Sequence, residues 1–130
     1  MTFAYRIAAL ALAAGVAVPT LALADGKSLF MDNCSACHQP TGKGVKGAFP
    51  ALAGSPFVQG DAKIVMTTVL NGRAGMPAFK DDLSDADLSA ILTYVRSSWG
   101  NKAAAVAPKD VAAARVATKA GAKARGLQAH

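Results

Sequence analysis

The chain has 130 residues, a formal charge of +6 at pH 7 and two cysteines, enough for one small domain and too few cysteines for a disulfide scaffold. Its 52% apolar content overstates the core, because much of it is alanine at the two ends. Residues 25–100 balance seven Lys/Arg against seven Asp, whereas residues 101–130 hold six basic residues and Asp110 alone, so the folded part is near neutral and the positive charge belongs to the tail.

Residues 1–24 have the form of a cleavable export signal. Arg6 supplies a basic start, Ile7 to Val18 is apolar or small, and Ala22 and Ala24 form an A-x-A cleavage pattern. The alternative is an uncleaved anchor. Either reading makes nucleic acid an improbable partner, and cleavage places the mature chain in a bacterial periplasm.

Gly26 to Cys34 has helix-like spacing, with Leu29 and Phe30 as apolar positions and Asn33 near its end. From Gln39 to Gly60, five glycines and three prolines predict ordered loop. Asp61 caps a predicted helix carrying Ile64, Val65, Thr68 and Val69, and Asn71-Gly72 stops it. A turn-rich stretch, NGRAGMPAF, follows. Ser84 and Asp87 form a variant capping box, after which Leu88, Ile91, Leu92, Val95 and Trp99 recur at helical spacing up to Gly100. The fold class is all-α, with three to four short helices joined by long loops. Residues 101–130, rich in Ala and Lys and interrupted by Pro108, Gly121 and Gly126, are expected to be disordered or marginally helical.

So much loop in so small a domain calls for a staple or a large cofactor. The cysteines lie in CSACH, Cys34 to His38. Zinc would need Cys34, Cys37, His38 and the distant His130, a poor set for one tetrahedron. A thiol–disulfide catalyst places its reactive cysteine at a helix start in a βαβ setting, whereas Cys34 falls at a helix end. Covalent haem attachment uses every residue of the turn. Cys34 and Cys37 add to two vinyl groups of one porphyrin, and His38 is the proximal iron ligand. Leu52, Phe57, Val65, Met66 and Phe79 are candidates to cover the haem. Among the methionines, Met31 is too near the attachment turn, and Met66 falls in a helical apolar pattern that reads as core. Met76, between Gly75 and Pro77 on a loop, is the candidate sixth ligand.

CSACH, the GMPAF loop and the helix LSDADLSAILTYVRSSWGN together resemble a class I c-type cytochrome across residues 26–100. The chain is especially similar to the small bacterial single-haem domains in cytochrome subunits of membrane-bound alcohol dehydrogenases. The resemblance implies a cytochrome c fold around one covalently bound haem c. It also implies that Gly26 and Phe30 of the first helix meet Ile91 and Tyr94 of the last, and that the Pro50 carbonyl accepts the imidazole N–H of His38. The family's mid-chain Trp has no counterpart, since the only Trp is Trp99; Asn71 and Arg73 are candidate propionate partners instead. The implied function is a periplasmic electron carrier, not an enzyme, serving redox partners such as a dehydrogenase or terminal oxidase. Lys43, Lys46, Arg73 and Lys80 flank the ligands and could orient an acidic partner. The basic tail could meet an anionic membrane surface or an acidic partner. Two rival readings are a haem subunit of a dehydrogenase or oxidase complex, and an open-site haem enzyme or gas sensor.

Overall fold

Polar caps start each of the three longer helices that the sequence predicts. In a computed structural model, which describes residues 25–127, Asp25 accepts the backbone N–H of Lys27 (3.1 Å) and opens α1, Gly26–Asn33. Asp61 does the same for Lys63 (2.8 Å) and opens α4, Ala62–Asn71. Ser84 and Asp87 form a reciprocal capping box at α5, Asp85–Ser97. Between α1 and α4 lie two single-turn helices, α2 (Ser35–His38) and α3 (Pro56–Gln59). A sixth helix, α6, spans Pro108–Leu127. The described residues contain no strand, only isolated bridges at Val45–Phe49 and Arg73–Met76, in keeping with an all-α fold.

The core forms where α1, α4 and α5 present their apolar faces. Phe30, Leu70 and Leu88 are fully buried, and Val65, Met66, Ile91, Leu92 and Val95 surround them. Each such side chain contributes about 1.5–3 kcal/mol on burial. Helices α1 and α5 meet closely because Gly26 has no side chain: a Cβ there would lie 2.2 Å from the Ala90 carbonyl oxygen. One turn on, the Phe30 ring packs 5.6 Å from Tyr94 and 5.1 Å from Trp99. Gly26, Phe30 and Tyr94 thus meet as the family resemblance implies.

The tail departs from expectation. Rather than disordered or marginally helical, residues 101–127 run as a strap and then the helix α6, docked on α4 and α5. Val106 of the strap and Val111 and Ala114 of α6, three residues apart on one helix face, are buried in the common core. Pro108 starts the helix rather than breaking it, and Asp110 accepts the N–H of Ala107 (3.1 Å) as a cap. The strap is bonded to α5: Thr93 Oγ1 accepts from Val106 N (3.1 Å) and donates to its carbonyl (3.2 Å), and Ala103 N donates to Arg96 O (2.9 Å).

Arg96, whose burial nothing nearby in the sequence indicates, is 4% exposed. Its guanidinium donates to the carbonyls of Val58 (2.6 Å), Gly60 (3.1 Å) and Ala104 (2.9 Å), joining α3 and the strap to α5. The proposed signal at residues 1–24 lies outside the described residues. Among those described, no helix is long and apolar enough to cross a membrane.

Candidate haem site

The chemistry of CSACH begins with a break in the helix. Cys34 still donates its N–H to Phe30 O (2.9 Å), but its backbone at φ −126° turns the chain, and a new turn starts at Ser35. The Cys34 carbonyl accepts from both Cys37 N (3.3 Å) and His38 N (3.0 Å). Cys34 and Cys37, three residues apart, therefore occupy one turn. Both are free thiols and half-buried. Burial, with Cys37 beside it, pushes the Cys34 thiol up to about 11. A thiol held protonated in this way is the opposite of what disulfide exchange needs, so the environment disfavours the thiol-catalyst reading.

His38 is 8% exposed, and its Nδ1 lies 2.9 Å from the Pro50 carbonyl oxygen. A carbonyl only accepts, so Nδ1 carries the proton and Nε2 is left with its lone pair for a metal. The loop that presents Pro50 is folded on itself. Gly44 N donates to His38 O (2.9 Å), Val45 and Phe49 bridge, and Leu52 N and Ala53 N both donate to Gly42 O.

Two glycines make this loop possible, and reading them only as loop punctuation misses both roles. Gly44 sits at φ +60°, and a Cβ there would lie 2.3 Å from Phe49 O and 2.6 Å from Pro50 O. Its bare backbone lets the histidine's acceptor approach. Gly42, at φ +66°, faces the Trp99 ring, which a Cβ would meet at 2.5 Å. Trp99 therefore packs the loop that presents Pro50 against the α1–α5 aromatic cluster.

Met76 is held on a separate loop. Its N–H donates to Arg73 O (2.9 Å), and its carbonyl accepts from Arg73 N (3.2 Å). Gly72, at φ +72°, allows the close return, since a Cβ would lie 2.5 Å from Met76 O. Downstream, Phe79 N and Lys80 N donate to Val69 O and Leu70 O at the end of α4 (3.1 and 3.2 Å). The three described methionines are differently placed: Met66 is buried in the core, Met31 is 38% exposed on α1, and Met76 is half-buried in its loop.

Of the residues expected to cover a haem, Val65 and Met66 are buried in the protein's own core, and Leu52 and Phe79 pack against it. Phe57 is 41% exposed, with the Arg73 guanidinium 5.9 Å from its ring centroid. Asn71 is already engaged: its amide donates to Thr67 O (3.0 Å) and Thr118 Oγ1 (3.5 Å). The chemistry of a buried imidazole with one committed nitrogen and two thiols on the same turn fits haem c, and Met76 stands on a separate loop. His130, the further donor in the zinc reading, lies outside the described residues.

Residues 21–95 match the family model described as cytochrome c oxidase, cbb3-type, subunit III, and the chain belongs to this family of c-type cytochrome domains, which bind haem c covalently. It is 32% identical over 90 residues to the cytochrome c subunit of a quinone alcohol dehydrogenase from Gluconobacter oxydans, covering 60% of this chain and 19% of that one. It is 40% identical over 106 residues to the cbb3-type cytochrome c oxidase subunit FixP of Azorhizobium caulinodans, covering 74% and 34%. With cytochrome c-552 of Thermus thermophilus it shares 30% identity over 96 residues, covering 62% and 64%. The chain spans only about a fifth of the Gluconobacter subunit and a third of FixP.

Proposed function

We propose that the protein carries single electrons on one haem c attached through Cys34 and Cys37, with His38 and Met76 as axial ligands. The observation that carries this reading is the 2.9 Å contact from His38 Nδ1 to the Pro50 carbonyl within the CSACH turn, which leaves Nε2 as the ring's one donor to a metal. The bound haem supplies a one-electron couple between Fe(II) and Fe(III), at a potential that a thioether ligand raises. The residues of this chain do the rest. The two cysteines anchor the group, Pro50 fixes the imidazole plane and tautomer, and the Gly72–Met76 turn holds the thioether on its own loop. His38 and Met76 would together give the iron two ligands from the protein, an arrangement that suits an electron carrier rather than an enzyme.

Its place is the periplasm, after removal of residues 1–24, and its partners are a dehydrogenase or a terminal oxidase. The relatives favour a second reading, because several are named as subunits of dehydrogenases or cbb3 oxidases. In that case the same site serves inside a complex. Lys43, Lys46, Arg73 and Lys80 are candidate contacts to an acidic partner in either setting.

A haem-stained denaturing gel of the wild type beside the double variant Cys34→Ser/Cys37→Ser tests the attachment. Stain retained by the wild type, and lost when both cysteines are replaced, is expected. Stain absent from the wild type would overturn the proposal. Co-purification from the native membrane at endogenous levels separates the two settings: a stable dehydrogenase or oxidase complex indicates a subunit, and a monomeric protein indicates a free carrier.

A further inference from the structure

Beyond the family match, which ends at residue 95, α6 sends one side chain back onto the loop that carries Met76. Arg115 uses every nitrogen of its guanidinium. Nε pairs with Asp85 Oδ1 at 2.5 Å, Nη1 donates to the Lys80 carbonyl and Nη2 to the Leu83 carbonyl. These acceptors stand on both sides of one turn, in which Asp82 N and Leu83 N donate to Phe79 O (3.2 Å each). The loop's entry is secured by its own backbone through Gly72 and the Arg73–Met76 bridge. Its exit depends on the α4 carbonyls and on this fork. Around the fork the packing is loose, with a recess of about 80 Å³ lined by Leu70, Lys80, Asp81, Arg115, Thr118 and Lys119. Leu83, buried in the core, anchors the same turn from within. Helix α6 is itself fixed by Val111 and Ala114 in the core, so the guanidinium is presented from a rigid base.

We propose that Arg115 is a positioning residue for the iron bond of Met76, and that α6 is a clamp lacing the exit of the methionine loop to the start of α5. The inference rests on Met76 being the sixth ligand. Opening of the loop, which frees the sixth position, must break a charge-assisted fork shared among a carboxylate and two carbonyls.

Imidazole is the probe, titrated into the ferric, haem-loaded full chain. It enters the sixth position only when Met76 leaves, so its apparent affinity reports loop opening. Arg115→Ala is expected to raise that affinity about tenfold, the effect of losing hydrogen bonds to a charged, partly solvated group. Arg115→Gln, which keeps the stem but loses the charge and the fork, should shift it the same way by about threefold, and it carries the test if the alanine variant does not fold. In a Met76→Ala background, Arg115→Ala should change nothing. Val58→Ala, a core lesion in α3 outside the clamp, should lower the melting temperature while leaving imidazole affinity within about twofold. If the wild type shows the near-infrared Met–Fe(III) band and neither Arg115 variant shifts imidazole affinity, the clamp is overturned alone. An Arg115 effect that persists without Met76 overturns it too. A wild type lacking that band overturns the Met76 reading, and the clamp with it.

Discussion

Gly44→Ala is a one-methyl test of how His38 is held. The new Cβ would fall 2.3 Å from Phe49 O and 2.6 Å from Pro50 O, where real Cβ contacts stay above 3.0 Å, so the loop must move by at least about 0.7 Å. Alanine at φ +60° adds about 1–2 kcal/mol of backbone cost. Displacing Pro50 also loses the bond to His38, a further 0.5–1.5 kcal/mol or so. The sum, about 1.5–3.5 kcal/mol, corresponds to a fall in melting temperature of roughly 6 °C or more for a domain of this size. The potential should rise at the same time, because an imidazole that no longer donates to a carbonyl is less basic and stabilises Fe(III) less. Gly47→Ala is the comparison. That residue is also left-handed (φ +81°) but has nothing within 4 Å of its Cβ position, so it should cost only about 1 kcal/mol and leave the potential unchanged. Thermal melts and redox titrations of the two proteins decide the matter. A Gly44→Ala protein matching Gly47→Ala in both would refute the claim that Gly44 sets the Pro50–His38 contact.

Three further outcomes are expected. Val111→Ala removes two fully buried methyl groups and should lower stability by about 2–3 kcal/mol in a denaturant titration; a change near zero would mean α6 is not docked in solution. Gly26→Ala places a methyl 2.2 Å from the Ala90 carbonyl oxygen, forcing α1 and α5 apart at a cost of about 3 kcal/mol, read by the same titration. Arg96→Ala leaves the carbonyls of Val58, Gly60 and Ala104 without their donor and should cost about 3–5 kcal/mol, whereas a loss below 1 kcal/mol would show the guanidinium to be incidental.

What sequence reasoning reached, and what it missed, divides along the range of the signal. Caps and apolar spacing are local, so Leu29 and Phe30, Asp61 and the Ser84–Asp87 box place three helices correctly. The four-residue helices α2 and α3 are too short for periodicity to show, although Ser55 and Pro56 carry the cap-and-proline signature of a helix start. The docking of the tail escapes sequence reasoning for the opposite reason. Its alanine-rich composition suggests too little core, yet three positions, Val106, Val111 and Ala114, suffice to dock it because a complementary surface on α4 and α5 already exists. Pro108 and Asp110 were the local signs of its start. Long-range relations leave the least trace. Nothing near Gly44 in the sequence indicates that its missing side chain makes room for the Pro50 carbonyl, and nothing near Arg115 points to residues 80–85.

The most direct test of the proposed site is the ferric absorption spectrum of the haem-loaded wild type beside that of Met76→Ala. A weak near-infrared Met–Fe(III) band in the wild type, lost in the variant, is the result expected of a six-coordinate electron carrier with His38 and Met76 on the iron. A wild-type spectrum without that band, or a band that survives Met76→Ala, would take Met76 off the iron and open the sixth position to ligand-binding chemistry.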